Sequence, residues 1–160
     1  PVARTERWRL TLDKPSMWFS APSVADGTVY FVCFDSTLRA VSADAGTVRW
    51  TFAADGRLSR PPAVTRDRVY QATADGHLYA LEARNGAIAW VARKSGTDYS
   101  YPIVAGEVVF LGCGDGCLYA FDRRDGHELW RFPAGGVVGT PGLCDDAVYV
   151  TAGNILYALR

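Results

Sequence analysis

Apolar residues in this chain fall into short runs of about five, separated by pairs of turn-forming residues, and no stretch keeps the three-to-four spacing of an amphipathic helix. The middle of the chain shows the pattern most plainly. Pro62-Ala63-Val64 leads through a polar turn into Val69-Tyr70-Gln71-Ala72-Thr73, and Asp75-Gly76 leads into His77-Leu78-Tyr79-Ala80-Leu81. Asn85-Gly86 then opens Ala87-Ile88-Ala89-Trp90-Val91. Asp-Gly and Asn-Gly between apolar runs mark tight hairpins, because both positions accept positive φ. Four short antiparallel strands are predicted here. The second strands, such as Val29-Tyr30-Phe31-Val32-Cys33, are apolar at consecutive positions. A sheet with one wet face would alternate, so both faces are expected to be covered.

The same pattern recurs along the chain. Trp8, Trp50, Trp90 and Trp130 lie 42, 40 and 40 residues apart, and Pro22, Pro62, Pro102 and Pro141 keep nearly the same period. Tyr30, Tyr70, Phe110 and Tyr149 each follow eight residues behind those prolines. Leu38, Leu78, Leu118 and Leu156 are each followed two positions later by Ala. A period near 40 with four strands per unit has the dimensions of a propeller blade. The expected fold is all-β: a single propeller domain over residues 1–160, with four four-stranded antiparallel blades. The repeats run over 17–56, 57–96, 97–136 and 137–160. Trp8, Trp50, Trp90 and Trp130, one per unit, are expected to wedge between neighbouring blades as structural docking residues.

The units do not start and finish together. Glu6-Arg7-Trp8-Arg9-Leu10 has the sequence of a last strand with no strands before it, and 143–160 reads as three strands without a closing one. A blade-closing strand over residues 5–12 would complete the last blade and remove an open sheet edge. Two readings satisfy this count: a monomer closed at four blades, and half of an eight-bladed ring completed by a second chain or by sequence outside residues 1–160.

Composition narrows the function. Seventeen Lys+Arg balance 17 Asp+Glu, so the formal net charge is zero. Nucleic acid is an unsuitable partner, because phosphate binding needs a concentrated basic face. No apolar run approaches the ~20 residues of a spanning helix, so membrane insertion is not expected. Residues 1–9 show no signal-peptide pattern, and cytoplasmic placement is expected. Pro1 in place of Met points to processing or excision, so a leader upstream would make the placement periplasmic or extracellular.

Ala120-Phe121-Asp122-Arg123-Arg124-Asp125-Gly126-His127-Glu128-Leu129-Trp130 resembles the Trp-docking repeat of PQQ-like (quinoprotein dehydrogenase-like) β-propellers, Ala-x-Asp-x-x-Thr-Gly-x-x-x-Trp. Asp125 stands where the family favours Thr, and the second and first copies carry Glu82 and Ser42 at the Asp position. The resemblance implies a bacterial propeller and leaves three functions. The first is a non-catalytic sensor or protein-interaction domain of a larger protein, as in Ser/Thr protein kinases with such repeats. The second is a periplasmic scaffold resembling the lipoprotein of outer-membrane barrel assembly. The third is a fragment of a PQQ-dependent alcohol dehydrogenase. Those enzymes carry an adjacent Cys pair over the quinone, and this chain has none. No enzyme activity, no PQQ and no other cofactor are therefore expected of this chain.

Cys33 and Cys113 hold equivalent second-strand positions and read as small core residues. Cys113 and Cys117 flank a turn and would face each other if a disulfide formed there. His77, Cys113 and Cys117 are the one conceivable soft-metal set, too sparse for a metal site. Arg123, Arg124 and Arg131 are expected on a solvated outer face. Departures from the repeat point elsewhere. Two residues before the recurrent Pro stand Ser20, Arg60, Ser100 and Gly139, one of them a guanidinium among small residues. A rim site for a protein or small-molecule ligand is expected around Arg60, with Trp18, Asp98, Tyr99 and Tyr101.

Overall fold

The computed structural model describes residues 5–12, 20–33, 35–58, 60–94, 96–97 and 100–160. Fifteen strands form in them, and among the described residues there is no helix. β1 (Ser23–Ala25), β2 (Thr28–Val32), β3 (Thr37–Ser42) and β4 (Val48–Ala53) make the first sheet. β5 (Ala63–Val64), β6 (Arg68–Ala72), β7 (His77–Glu82) and β8 (Ile88–Arg93) make the second. β9 (Ile103–Ala105), β10 (Val108–Gly112), β11 (Cys117–Asp122) and β12 (Glu128–Pro133) make the third. β13 (Gly142–Cys144), β14 (Ala147–Ala152) and β15 (Ile155–Leu159) make a fourth sheet of three strands. All pairings are antiparallel and between strands consecutive in sequence, so each sheet is a meander, the expected blade.

The core lies between sheets, which explains the double-sided hydrophobicity of the second and third strands. Tyr30, Val32, Leu38 and Trp50 of the first blade pack against Val69, Tyr79 and Leu81 of the second. Tyr70, Leu78 and Trp90 pack in turn against Val109, Leu111 and Tyr119. Phe110 and Leu118 pack against Val148 and Val150 of the fourth sheet.

The first two seams are locked in one way, by an indole on the next blade. The fourth strand shifts register at Ala40/Val41, Ala80/Leu81 and Ala120/Phe121, leaving one extra residue next to the Trp. Such a bulge twists the strand and re-aims its side chains. The indole then lies over the β3–β4-type turn of the next blade. Trp50 Nε1 donates to Ala83 O at 2.9 Å, and Trp90 Nε1 to Arg123 O at 3.0 Å. Gly86, at φ +72°, lies under the Trp50 ring, where a Cβ would stand 2.7 Å from Cε3. The turn therefore needs a glycine twice over, for its left-handed backbone and for the indole above it.

The chain's two remnants do not join into a fourth strand. Residues 5–12 form no ladder with β15. They lie against the first blade instead: Trp8 Nε1 donates to Ala43 O at 2.8 Å, and the ring covers Gly46. Trp8 thus docks as Trp50 and Trp90 do. Trp130 differs from the other docking residues. It is 40% exposed, against 8% for Trp50 and Trp90, because the fourth sheet presents no β3–β4-type turn to cover it.

Candidate partner-binding rim

Loops leading into the innermost strands β1, β5, β9 and β13 are tied to the strand behind them, and the tie differs in the second blade. Ser20 Oγ accepts from Val32 N at 3.0 Å, and Ser100 Oγ accepts from Gly112 N at 2.8 Å. Position 60 carries Arg, and Gln71 takes over the tether by donating its amide to Arg60 O at 3.2 Å. Gln71 interrupts an otherwise apolar strand, so the polar substitution at 71 and the basic one at 60 belong together. With its backbone held by Gln71, Arg60 is half-buried and its side chain reaches the Tyr101 ring. The guanidinium carbon stands 5.6 Å from the centroid of the Tyr101 ring. That is within the range of a cation–π contact.

Tyr101 is 40% exposed, and its backbone N–H donates to Thr140 Oγ1 at 3.1 Å, which links the third and fourth blades. Ser23 Oγ donates to Pro62 O at 2.6 Å across the first and second. The expected pair Arg60 and Tyr101 therefore meets in space, on loops fixed to three consecutive blades. Trp18, Asp98 and Tyr99 lie outside the described residues. Gln71 and Thr140 join the site without having been expected. Gln71 was visible as a break in the strand pattern, and Thr140 stands directly before the recurrent Pro, at the position equivalent to Tyr101.

Other candidates resolve differently. Cys33 and Cys113 are buried, and burial raises both thiol pKa values, as suits core residues. No disulfide joins any of the four cysteines, which includes the Cys113–Cys117 pair. His77, Cys113 and Cys117 do not gather, and among the described residues no group of three metal-ligating side chains comes together. His77 Nδ1 instead lies 3.2 Å from Asp75 Oδ2. Thr73 Oγ1 donates to the same Asp75 carboxylate at 2.5 Å and, with His77, holds its pKa below the usual aspartate value.

The three arginines expected on a solvated face are not alike. Arg124 pairs with Asp122, whose carboxyl is lowered to about 2 chiefly by that side-chain hydrogen bond. Arg131 pairs with Glu128 at 2.7 Å and lies over the Tyr119 ring at 5.4 Å. Arg123, by contrast, is a clamp within the second seam. Its carbonyl receives the Trp90 indole, while its guanidinium donates to Tyr70 Oη at 3.2 Å and to Asp67. Its place in an acidic-basic turn motif gave no sign of a role between blades.

A family model described as outer membrane protein assembly factor BamB matches residues 3–136 and 96–160, and no curated protein matches the chain. Among solved structures, BamB from Moraxella catarrhalis superposes with a TM-score of 0.79 at 22% identity, over 88% of this chain and 45% of that one. The computationally designed Ika4 protein superposes at 0.83 and 14% identity, over 93% of this chain and 94% of that one. Quinohemoprotein alcohol dehydrogenase ADHIIG from Pseudomonas putida HK5 gives 0.64 at 26% identity, over 77% of this chain and 21% of that one. The chain thus spans less than half the length of that BamB. Repeat period, four meander sheets and the family match agree, and the chain belongs to the PQQ-like β-propeller family of the BamB-type repeat.

Proposed function

We infer that this chain is a non-catalytic recognition module of a larger bacterial protein, binding an acidic protein segment at the rim formed by Arg60 and Tyr101. The observation that carries the reading is the half-buried Arg60 guanidinium set against the exposed Tyr101 ring. It sits on tethered loops and breaks the repeat at the position where Ser20, Ser100 and Gly139 are small. A guanidinium offers a planar fork of donors to a carboxylate, and the tyrosine beside it supplies rigid contact area at low entropic cost. Both are features of a surface that recognises without turning over a substrate.

Two parents fit. A sensor or interaction domain of a cytoplasmic Ser/Thr protein kinase is the first reading. A periplasmic scaffold is favoured by the match of the BamB-described family model across the chain. A kinase domain or a lipoprotein leader in the full gene separates them. The rim is tested by titrating the labelled protein with a short glutamate-rich peptide and following amide shifts. Shifts are expected around Arg60, Tyr101 and Thr140, and Arg60→Ala is expected to abolish them. Shifts that persist in Arg60→Ala, or none in the native chain, would remove this reading. Adding PQQ with calcium is expected to produce no dye-linked alcohol oxidation; turnover under those conditions would make the chain an enzyme fragment.

A further inference from the structure

The fourth strands β4, β8 and β12 each pair with a third strand on one side and, among the described residues, with nothing on the other. An open sheet edge is a template for a further strand, and natural sheets blunt it with charged side chains or proline. Two of the three edges are blunted. β12 carries Glu128, Arg131 and Pro133, and Arg131 bonds Glu128 at 2.7 Å. β4 carries Thr51 and Arg49, whose guanidinium donates to Thr28 Oγ1 at 2.7 Å. β8 is different. Where β12 has Glu128, Leu129 and Arg131, β8 has Ile88, Ala89 and Val91, all exposed. From Ile88 to Ala92 it holds neither a charge nor a proline. Its sheet packs on the first blade through Val69 and Leu81 and on the third through Tyr70 and Trp90, so the open edge is the side that points away from both seams.

The ladder with β7 decides which backbone groups face outward. Lys94 N donates to Gly76 O at 2.9 Å, and Ala92 and Trp90 stand opposite Leu78 and Ala80 in the same register. Bonded and non-bonded positions alternate along an antiparallel pair. Lys94, Ala92 and Trp90 therefore direct their N–H and C=O groups to β7, and Arg93 and Val91 direct theirs outward.

Charge selects what this edge would take. Residues 57–96 carry seven Lys+Arg and three Asp+Glu in a chain whose net charge is zero. Arg84, in the turn before β8, and Arg93, at the end of β8, are exposed, and neither is ion-paired among the described residues. They bracket the apolar stretch. A second copy on this edge would set two basic blades side by side, which like charge disfavours.

We propose that β8 accepts an extended segment of a partner protein as a fifth strand, apolar at alternate positions and acidic at both ends. Main-chain hydrogen bonds to Val91 and Arg93 hold the segment, and its apolar side chains lie beside Ile88 and Val91. Its acidic ends meet Arg84 and Arg93. The site goes beyond the rim reading and is separate from it. Arg60 stands in the loop leading into β5, and β5 and β8 are opposite edges of one sheet.

The test is a titration of the 160-residue chain with a peptide of alternating Val and Thr between pairs of glutamates. Amide hydrogen exchange at Val91 and Arg93 is expected to slow, and N-methylation of alternate peptide amides is expected to abolish binding. Arg93→Pro gives β8 the residue that β12 has at Pro133, so the variant is expected to fold. It removes one outward donor and is expected to weaken binding about tenfold, as is Val91→Arg, which copies Arg131. Unchanged exchange at Val91 and Arg93 under saturating peptide would overturn the proposal. Equal binding of the N-methylated peptide, or of one with lysines in place of the glutamates, would overturn it as well. Protection of the two amides without peptide, together with a doubled native mass, would assign the edge to a second copy and contradict it. Arg60→Ala is expected to leave binding at β8 unchanged, so the edge and the rim can fail separately.

Discussion

Leu78 and Leu156 occupy the same place in the second and fourth copies of one blade, yet the first is fully buried and the second is 67% exposed. Their strands are alike: β7 and β15 both follow a tight turn, and both keep Leu-Tyr-Ala in the centre. What differs is the neighbour. Leu78 meets the third blade, whereas the fourth sheet has nothing against its outer face among the described residues. Burial in this fold is a property of the seam and not of the blade. Each unit is too thin to bury its own apolar residues, so stability arises where two units meet.

The contrast sets an order of expected effects. Leu78→Ala should cost ~2–5 kcal/mol in urea unfolding, while Leu156→Ala in the monomer should stay within about 0.5 kcal/mol. Equal losses would mean that the end face is covered in the single chain. Gly86→Ala puts a Cβ 2.7 Å from the Trp50 ring at φ +72° and should cost ~2–3 kcal/mol, read as a lowered melting temperature. Arg123→Ala removes the clamp on Tyr70 and Asp67 and should cost about 1 kcal/mol, whereas Arg124→Ala should be nearly silent.

The smallest effect is electrostatic. Hydrogen bonding from Thr73, then from His77, lowers the Asp75 pKa in the folded state. The ionised carboxylate therefore stabilises the fold above the ordinary aspartate pKa, and this contribution is lost as pH falls through the lowered value. Asp75→Asn should reduce the melting temperature at neutral pH and narrow its gap from the native chain on acidification. A gap that widened toward low pH would reverse the sign of this assignment.

The blade itself was legible in the sequence because its signals are local. Asn85-Gly86 names a hairpin within two residues, and the Trp period counts the sheets. The seam followed from consecutive apolar positions in β2, β6 and β10, which need two covered faces. At the rim, Arg60 and Tyr101 could be singled out as departures from the repeat. Their meeting depends on loop paths across blades, which no local pattern encodes. Residues 5–12, expected as a closing strand, form no ladder, although Trp8 docks over Gly46 as Trp50 docks over Gly86. Which sheet edge it completes was left open between closure at four blades and a larger ring, because strand type is local whereas ring closure depends on the summed rotation of every seam. Arg123 was misplaced for a related reason: its charge reads as solvated until Tyr70 is brought beside it from 53 residues away.

At the centre of this account is the claim that an indole stabilises the fold only where the next blade's glycine turn receives it. Trp90 and Trp130 provide the direct comparison, having equivalent strand positions, Ala partners and bulges but different covers. Urea titrations of Trp90→Ala and Trp130→Ala, each in the monomeric fraction, measure it. The account predicts a loss of ~3–5 kcal/mol for Trp90→Ala and of about 1 kcal/mol or less for Trp130→Ala. Losses of the same size at the two positions would contradict it.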